Sequence, residues 1–373
     1  MEEQDLFSII GAVRGLDEAA MARARERQDR LAKPPKSLGR LEALSVQLAG
    51  ITGSVYNEIK RRRIVILCAD NGVVEEGVSS APQSVTLAQT INFTRGLTGV
   101  ATLARHFGDE LDVVDVGINA RFSCPGVLER KIAMGTKNIA REDAMTRGEC
   151  VRALLTGIER AQAARAEHVD ILGVGEMGIG NTTTSSAVLC ALTGLAPDET
   201  VGRGGGITEE SFYRKKRIVA DALRERAPDA DDPIDVLAKL GGFDLAAMAG
   251  VFIGAAYCRM PVVIDGFISV VAALAAARLC PACRAYMIPS HASFEQGYAH
   301  ALRALQLEPM LQLDMRLGEG SGCPLAFVLV GAACAVINGM ATFEEAAIDD
   351  AYLAPIRAGD QFSLPEEKAG AAR

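Results

Sequence analysis

Short apolar runs recur along the 373-residue chain, each the length of one buried strand: Ile64–Cys68, Leu111–Val116, Val169–Val174, Pro261–Ile264 and Tyr286–Ile288. Between and around them, apolar positions repeat at helical spacing in Leu16–Leu31, Leu38–Leu48, residues 151–167, Arg214–Arg226 and Pro324–Ile337. Strand alternating with helix in this way predicts an α/β fold built on a doubly wound, largely parallel sheet. Residues 1–60 read as helices alone. Lys33-Pro34-Pro35-Lys36 breaks them, and Ser37 stands where it would cap the next helix. Residues 120–150 read as irregular, and the polar tail from Ala358 as frayed.

The strand at Val169–Val174 leads into four glycines, Gly173, Gly175, Gly178 and Gly180, then Asn181-Thr182-Thr183-Thr184 and an apolar helix. Glycine lets the backbone come close to a ligand, and the Asn-Thr opening supplies an N-cap with free N–H groups facing outward. Such a helix start suits a phosphate or carboxylate. A second permissive loop, Val201–Ile207, carries Gly204, Gly205 and Gly206. Gly173-x-Gly175-x-x-Gly178, with Glu199 beyond it, also fits a dinucleotide fingerprint. It lies mid-chain, whereas that fingerprint closes the first βαβ unit, so NAD binding is set aside.

Polar residues end several strands, namely Asp70, Glu176, Asp265 and His291, and a row of this kind can line one cleft. Asp265 has the alternative of capping the next turn, and His291 that of a satisfied core histidine. Glu319 differs. It sits between glycines in Arg316-Leu317-Gly318-Glu319-Gly320, with Arg316 as the nearest cation. Partial desolvation there would raise its pKa towards neutrality and make it a general base.

A net charge of -8 argues against nucleic acid as a partner, and Arg61-Arg62-Arg63 reads as a solvated approach to a strand. The 49% hydrophobic and 23% charged composition is that of a soluble enzyme. Nine cysteines, paired in sequence only at Cys280-Pro-Ala-Cys283, fit a reducing cytoplasm. The acidic first residues carry no leader pattern, and the longest apolar stretch, Val262–Ala277, is interrupted by Asp265. No GxSxG, HExxH or GxxxxGK[ST] occurs, and no glycine-threonine loop follows the paired acids Asp349-Asp350. A phosphorylated sugar would therefore be held by glycine loops and a lysine, with no metal and no cofactor.

Read together, KPPKSLGRLE (33–42), CADNGVVEEGVSSAP (68–82), VTLAQ (85–89), VDVGI (114–118), GVGEMGIGNTT (173–183), VGRGGGI (201–207), GGFDLAAMAG (241–250), PVVIDGFIS (261–269), IPSHASFEQG (288–297) and RLGEGSG (316–322) resemble the nicotinate-nucleotide–dimethylbenzimidazole phosphoribosyltransferases. Those enzymes make the lower-ligand nucleotide of cobamides such as vitamin B12. The segments cover nearly the whole chain in one order. GEMGIGNTT and RLGEGSG are the most specific.

The resemblance implies a large α/β domain of Rossmann-like connectivity over residues 61–324, a small helical domain from 1–60 with 325–373, and a cytoplasmic homodimer. It implies the conversion of nicotinate mononucleotide and 5,6-dimethylbenzimidazole to α-ribazole 5′-phosphate and nicotinate. Nicotinate departs as an already neutralised pyridinium nitrogen, without metal. Matched by motif, Glu319 is the base that takes the benzimidazole proton. Glu176, Gln89, Ala81, Leu317 and Met177 surround the acceptor. Gly178, Gly180, Asn181, Thr182, Gly204, Gly205, Gly206 and Lys215 hold the phosphate and ribose, with Asp244, Asp265, Ser290 and His291. The chain departs from the family in two places: Asn71 stands where a histidine is usual, and Ala81 where a larger polar residue is common. These leave the preferred base open. A non-catalytic subunit of a heteromeric transferase, or a paralogue using phenolic bases, are the alternatives.

Overall fold

The computed structural model describes residues 2–359. Six strands, β1 Arg62–Ala69, β2 Glu110–Gly117, β3 Val127–Glu129, β4 Ile171–Met177, β5 Val262–Ile264 and β6 Met287–Pro289, form one sheet in the order β3-β2-β1-β4-β5-β6. Every neighbouring pair is parallel, which is the expected doubly wound α/β arrangement. Strands covered by helices on both faces are apolar throughout rather than alternating, and Ile64 to Ala69 are all completely buried. The order reverses between β1 and β4, so connecting helices diverge there and leave a crevice beyond the C-terminal strand ends. Glu176 is the last residue but one of β4 at that point, and Asp70 follows β1.

β3 corrects the irregular reading of residues 120–150. Its three residues are too few to show a period, and pairing with β2 makes them a strand. The arginine run is corrected too. Arg62 pairs with Asp109 at 2.6 Å, and Arg63, 7% exposed, pairs with Glu110 at 2.5 Å and Glu167 at 2.6 Å, tying the start of β1 to its neighbours.

The helices Arg147–Ala166 and Phe243–Tyr257 pack with their backbones in contact. A Cβ on Gly157 would collide with Ala247 O, and one on Gly250 with Leu154 O. Thr146 and Glu149 form a capping box that starts the first of these helices. The second is buried from Phe243 to Ala256, since its small residues allow neighbours on every side.

The chain forms two compact units, one made of the chain up to Gly15 with Lys60–Phe327, the other of Leu16–Ile59 with the chain from Val328. The opening helix, Glu2–Ala12, packs in the first unit against the helix Arg147–Ala166, aided by a 2.7 Å Arg147–Glu3 ion pair. This departs from its expected place among residues 1–60 of the helical part. The second unit packs Glu18–Arg30 against Arg40–Thr52 around Ala20, Ala24, Ala49 and Ile337. Ser37 does not cap Arg40–Thr52: Gly39, at φ 48, takes that position without a side-chain cap. The Leu38 N–H instead donates to Glu42 Oε1 at 2.9 Å, and the same oxygen pairs with buried Lys33 at 2.7 Å. The tail expected to fray begins inside a short helix, Ala354–Ala358, and lies outside the described residues from 360 on.

A methyl group at either helix contact has nowhere to go. Gly157→Ala and Gly250→Ala are each expected to destabilise the protein by about 1–3 kcal/mol, the usual cost of overpacking. Gly331→Ala, in a helix with nothing within 4 Å of its Cβ, should be neutral or stabilising by up to ~1 kcal/mol. Urea unfolding midpoints of the three variants test this. Equal midpoints would show that the helix pair relaxes.

Candidate active site

A cavity of about 300 Å³ opens beyond the C-terminal ends of β1 and β4. Its central feature is the turn Gly318-Glu319-Gly320, whose φ values of 81, 64 and 88 are all left-handed. For a non-glycine residue this conformation costs about 1–2 kcal/mol, so surrounding contacts must impose it. Asp265 accepts the Gly320 N–H at 3.0 Å and the Gly322 N–H at 2.7 Å, and Glu176 Oε1 accepts the Glu319 N–H at 3.2 Å. The turn lies directly on β4, because a Cβ at Gly175 would collide with Glu319 O and one at Gly318 with the Glu176 carboxylate.

Held this way, the Glu319 side chain reaches the cavity wall and is 7% exposed. Its Oε1 accepts from Gln89 Nε2 at 3.3 Å. Its Oε2 accepts the Val100 N–H at 3.1 Å, at the start of the helix Gly99–Phe107. Burial raises its pKa above the usual carboxylate range, although those donors pull the other way.

Behind it lies an acidic layer. Asn181 Nδ2 donates to Glu176 Oε2 at 2.5 Å and to Asp244 Oδ2 at 3.0 Å. Burial, with mutual repulsion added, pushes Glu176 up to about 7, and burial pushes Asp244 up to about 6. Burial likewise pushes Asp265 up to about 7. Because Asn181 is occupied with these acids, it does not cap its helix. Gly180, at φ 96, is the N-cap of Asn181–Thr193 and no side chain caps that end, which corrects the expected Asn-Thr cap.

A buried cation stands behind another part of the wall. Lys215, on the helix Glu209–Arg226, is wholly buried, and its ammonium donates to Thr182 Oγ1 at 2.8 Å and Gly202 O at 3.2 Å. Among the described residues no carboxylate lies within ion-pair distance of it. Burial lowers its pKa to about 8. Thr182, Gly204 and the helix start Gly180–Asn181 line the cavity beside it.

The cavity wall brings together Glu319, Glu176, Gln89, Ala81, Leu317 and Met177. Gly178, Gly180, Asn181, Thr182, Gly204 and Gly205 continue it, while Gly206 lines an adjoining outer pocket. Lys215 and Asp244 lie one layer back. The expected row of strand-end groups is only partly realised, since Asp70, Asp265 and His291 do not reach the cavity. Asp70 accepts the Asn119 N–H at 2.8 Å and steadies the loop after β2. His291 is buried, 2.9 Å from Ser290 Oγ through Nδ1 and stacked on Tyr298, and burial lowers its pKa. Asn71 is buried too, accepting from Thr184 Oγ1 at 3.4 Å.

Sequence reasoning missed Ser79, Ser80, Arg203, Phe267 and Glu295 on the wall. Ser79 and Ser80 adjoin Ala81 in the same segment, a signal that was available. Glu295 comes from a loop and Phe267 from the start of the helix Phe267–Leu279, and only the fold brings them in. Among the described residues no group of three His, Cys, Asp or Glu side chains is placed to hold a metal ion.

A family model described as a phosphoribosyltransferase matches residues 13–348. The nicotinate-nucleotide–dimethylbenzimidazole phosphoribosyltransferase of Clostridium perfringens is 53% identical over 352 residues, covering 94% of this chain and 98% of that protein. The protein of the same name from Yersinia enterocolitica is 47% identical over 346 residues, with 93% and 98% covered. The crystal structure of CobT from Thermus thermophilus is similar with a TM-score of 0.86 at 43% identity, covering 89% of this chain and 99% of that one.

The acidic layer has a consequence for stability. Carboxylates in an unfolded chain titrate near 4, whereas Glu176 and Asp265 hold protons up to about 7 when folded. The folded state therefore binds more protons between about pH 4 and 7, and stability falls as the pH rises through that window. Glu176→Gln is expected to flatten the decline between pH 5.5 and 8, by up to about 1.4 kcal/mol per pH unit for one proton. Urea unfolding of both proteins across that range measures it, and parallel curves would mean that Glu176 stays ionised.

Proposed function

Since the chain belongs to the nicotinate-nucleotide–dimethylbenzimidazole phosphoribosyltransferase family, we propose that this cavity carries out that family's reaction with the residues described above. The enzyme is a pentosyltransferase of cobamide biosynthesis. It moves the phosphoribosyl group of nicotinate mononucleotide to a ring nitrogen of 5,6-dimethylbenzimidazole or a related base. The products are α-ribazole 5′-phosphate and nicotinate.

In this reading Glu319 is the general base. Its carboxylate takes the N–H proton of the flat base, and the freed electron pair attacks the anomeric carbon on the face opposite nicotinate. The bond to nicotinate breaks as the new one forms, its electrons neutralise the pyridinium nitrogen, and β becomes α. A base works best with a pKa near the working pH, and the burial that raises Glu319 supports the role. The observation that carries the reading is one cavity lined by the backbone-held Glu319 carboxylate and by Thr182, behind which the buried Lys215 ammonium donates to Thr182 Oγ1.

Lys215, Thr182, the uncapped helix start at Gly180 and the loop Gly204–Gly206 take the phosphate in this assignment, by charge and by backbone N–H groups. Gln89, Met177, Leu317 and Ala81 surround the acceptor ring, with Glu176 beneath it. Asp244 and Asp265 act from behind the wall by holding Asn181 and the glutamate turn, and Ser290 and His291 pack beside Asp265.

We further propose a homodimer, supported by Val328, Ala332 and Val336, which leave one apolar face of the helix Cys323–Gly339 partly exposed. A cytoplasmic location is supported by nine free thiols. Among the described residues no helix is long and apolar enough to cross a membrane.

Glu319→Gln should retain mononucleotide binding and lose about 10²–10⁴-fold in kcat, the usual contribution of a positioned base. Lys215→Ala should chiefly raise KM for the mononucleotide, the mark of lost uniform binding. Steady-state kinetics on both variants separate the roles; near-normal turnover of Glu319→Gln from pH 6 to 9 would remove it from the mechanism.

Ala81 offers no side-chain hydrogen bond to the acceptor, and shape alone discriminates a methyl group by only ~1–3 kcal/mol. Benzimidazole and its methylated forms are therefore expected within about tenfold of one another in kcat/KM. Competition among dimethylbenzimidazole, benzimidazole, adenine and p-cresol, read by product mass, tests this. Use of a single base would assign specificity to other wall residues.

A further inference from the structure

Glu295 lines the cavity and also borders an outer pocket of about 740 Å³. Its carboxylate lies against Gly202, whose carbonyl accepts from Lys215 Nζ at 3.2 Å, and it shares the cavity wall with Gly204 and Arg316. The chain makes room for it, because a Cβ at Gly202 would collide with Glu295 Oε2. Gly204 packs on Thr182 Oγ1, which accepts from Lys215 at 2.8 Å. One carboxylate thus sits beside the glycine loop, the lysine and the arginine that suit an anion.

We propose that in the free protein the Glu295 carboxylate stands in for the phosphate of the substrate, lying against Gly202 beside the Lys215 ammonium until an incoming phosphate displaces it. The inference rests on the assignment of Lys215 and the 202–206 loop to the phosphate, and adds a selectivity device to it. An empty cationic cradle would bind any small anion. With Glu295 in place, an anion must evict a like charge to enter, a juxtaposition that is strongly unfavourable. Inorganic phosphate brings no other contacts to offset that cost. A mononucleotide does, through its ribose and ring against the rest of the wall. Glu295 is therefore a positioning and selectivity residue, and no bond is made or broken on it.

The test is direct binding of inorganic phosphate, by calorimetry at pH 7.5, to the wild-type protein, Glu295→Gln, Glu295→Ala, Lys215→Ala and the Lys215→Ala/Glu295→Gln double variant. Circular dichroism checks that each is folded. Both Glu295 variants are expected to bind phosphate at least about tenfold more tightly than wild type, and the double variant to lose that gain. Should both Glu295 variants bind no better than wild type while Lys215→Ala weakens binding, the stand-in role is overturned and the phosphate site stands. Phosphate binding unaffected by Lys215→Ala would overturn the phosphate site itself, and the inference with it. The mononucleotide supplies a second readout. Its affinity should change less than that of inorganic phosphate in Glu295→Gln, and a selective loss of mononucleotide binding would mark Glu295 as a ribose ligand instead.

Discussion

The close approach of the turn at Gly318–Gly320 to the end of β4 is the constraint on which the site depends. Two backbones meet there at a distance that no side chain at Gly175 tolerates, and Gly318, at φ 81, sits in a left-handed conformation against the Glu176 carboxylate. The turn leaves Glu319 in a left-handed conformation that it would not choose alone. Buried Asp265 receives two of the turn's N–H groups and Glu176 a third, and together these bonds outweigh the local strain. Asp265 and Glu176 in turn stand where they do because β5 and β4 are neighbours in the sheet. The position of a single carboxylate is thus fixed by strand order.

Charge is distributed unevenly around that carboxylate. Glu176, Asp244 and Asp265 are packed behind Glu319 with one asparagine amide bridging two of them, and burial keeps their protons on to higher pH. A second ionised acid beside the proposed base would disfavour its own ionised form; acids that hold protons near neutrality soften that repulsion. Elsewhere behind the wall lies Lys215, buried, bonded to Thr182 and without a carboxylate in ion-pair distance among the described residues. In a water-poor site such a cation attracts an anion more strongly than it would in bulk solvent. The proposed base and the proposed phosphate cation are thereby set in surroundings of opposite charge.

The scaffold supports this through close backbone packing elsewhere. The helices Arg147–Ala166 and Phe243–Tyr257 touch through Gly157 and Gly250, which seats the second helix against the sheet. Asp244 lies in the first turn of that helix, beneath Asn181. A shift of the helix pair would therefore be felt at the asparagine that separates the acids.

Much of this was legible in the residues themselves. Apolar runs at strand length, separated by helical periods, determined a parallel α/β sheet, since strands covered on both faces must be apolar throughout. Glycine clusters around Glu176 and Glu319 marked the two segments where backbone comes close, and resemblance of their motifs to a known family identified the chemistry. Three things needed the tertiary structure. β3 is too short to carry a period and exists only through pairing with β2. Asn181, an expected helix cap, instead bridges two acids 63 and 5 residues away, contacts that no local pattern encodes. Asp265 and His291 end strands as Glu176 does, yet the turn at Gly318–Gly322 lies over Asp265 and shuts it from the cavity. Spacing along a chain reports which residues end a strand; which of them meets a ligand depends on what packs above it, and that is decided by parts of the chain far apart in sequence.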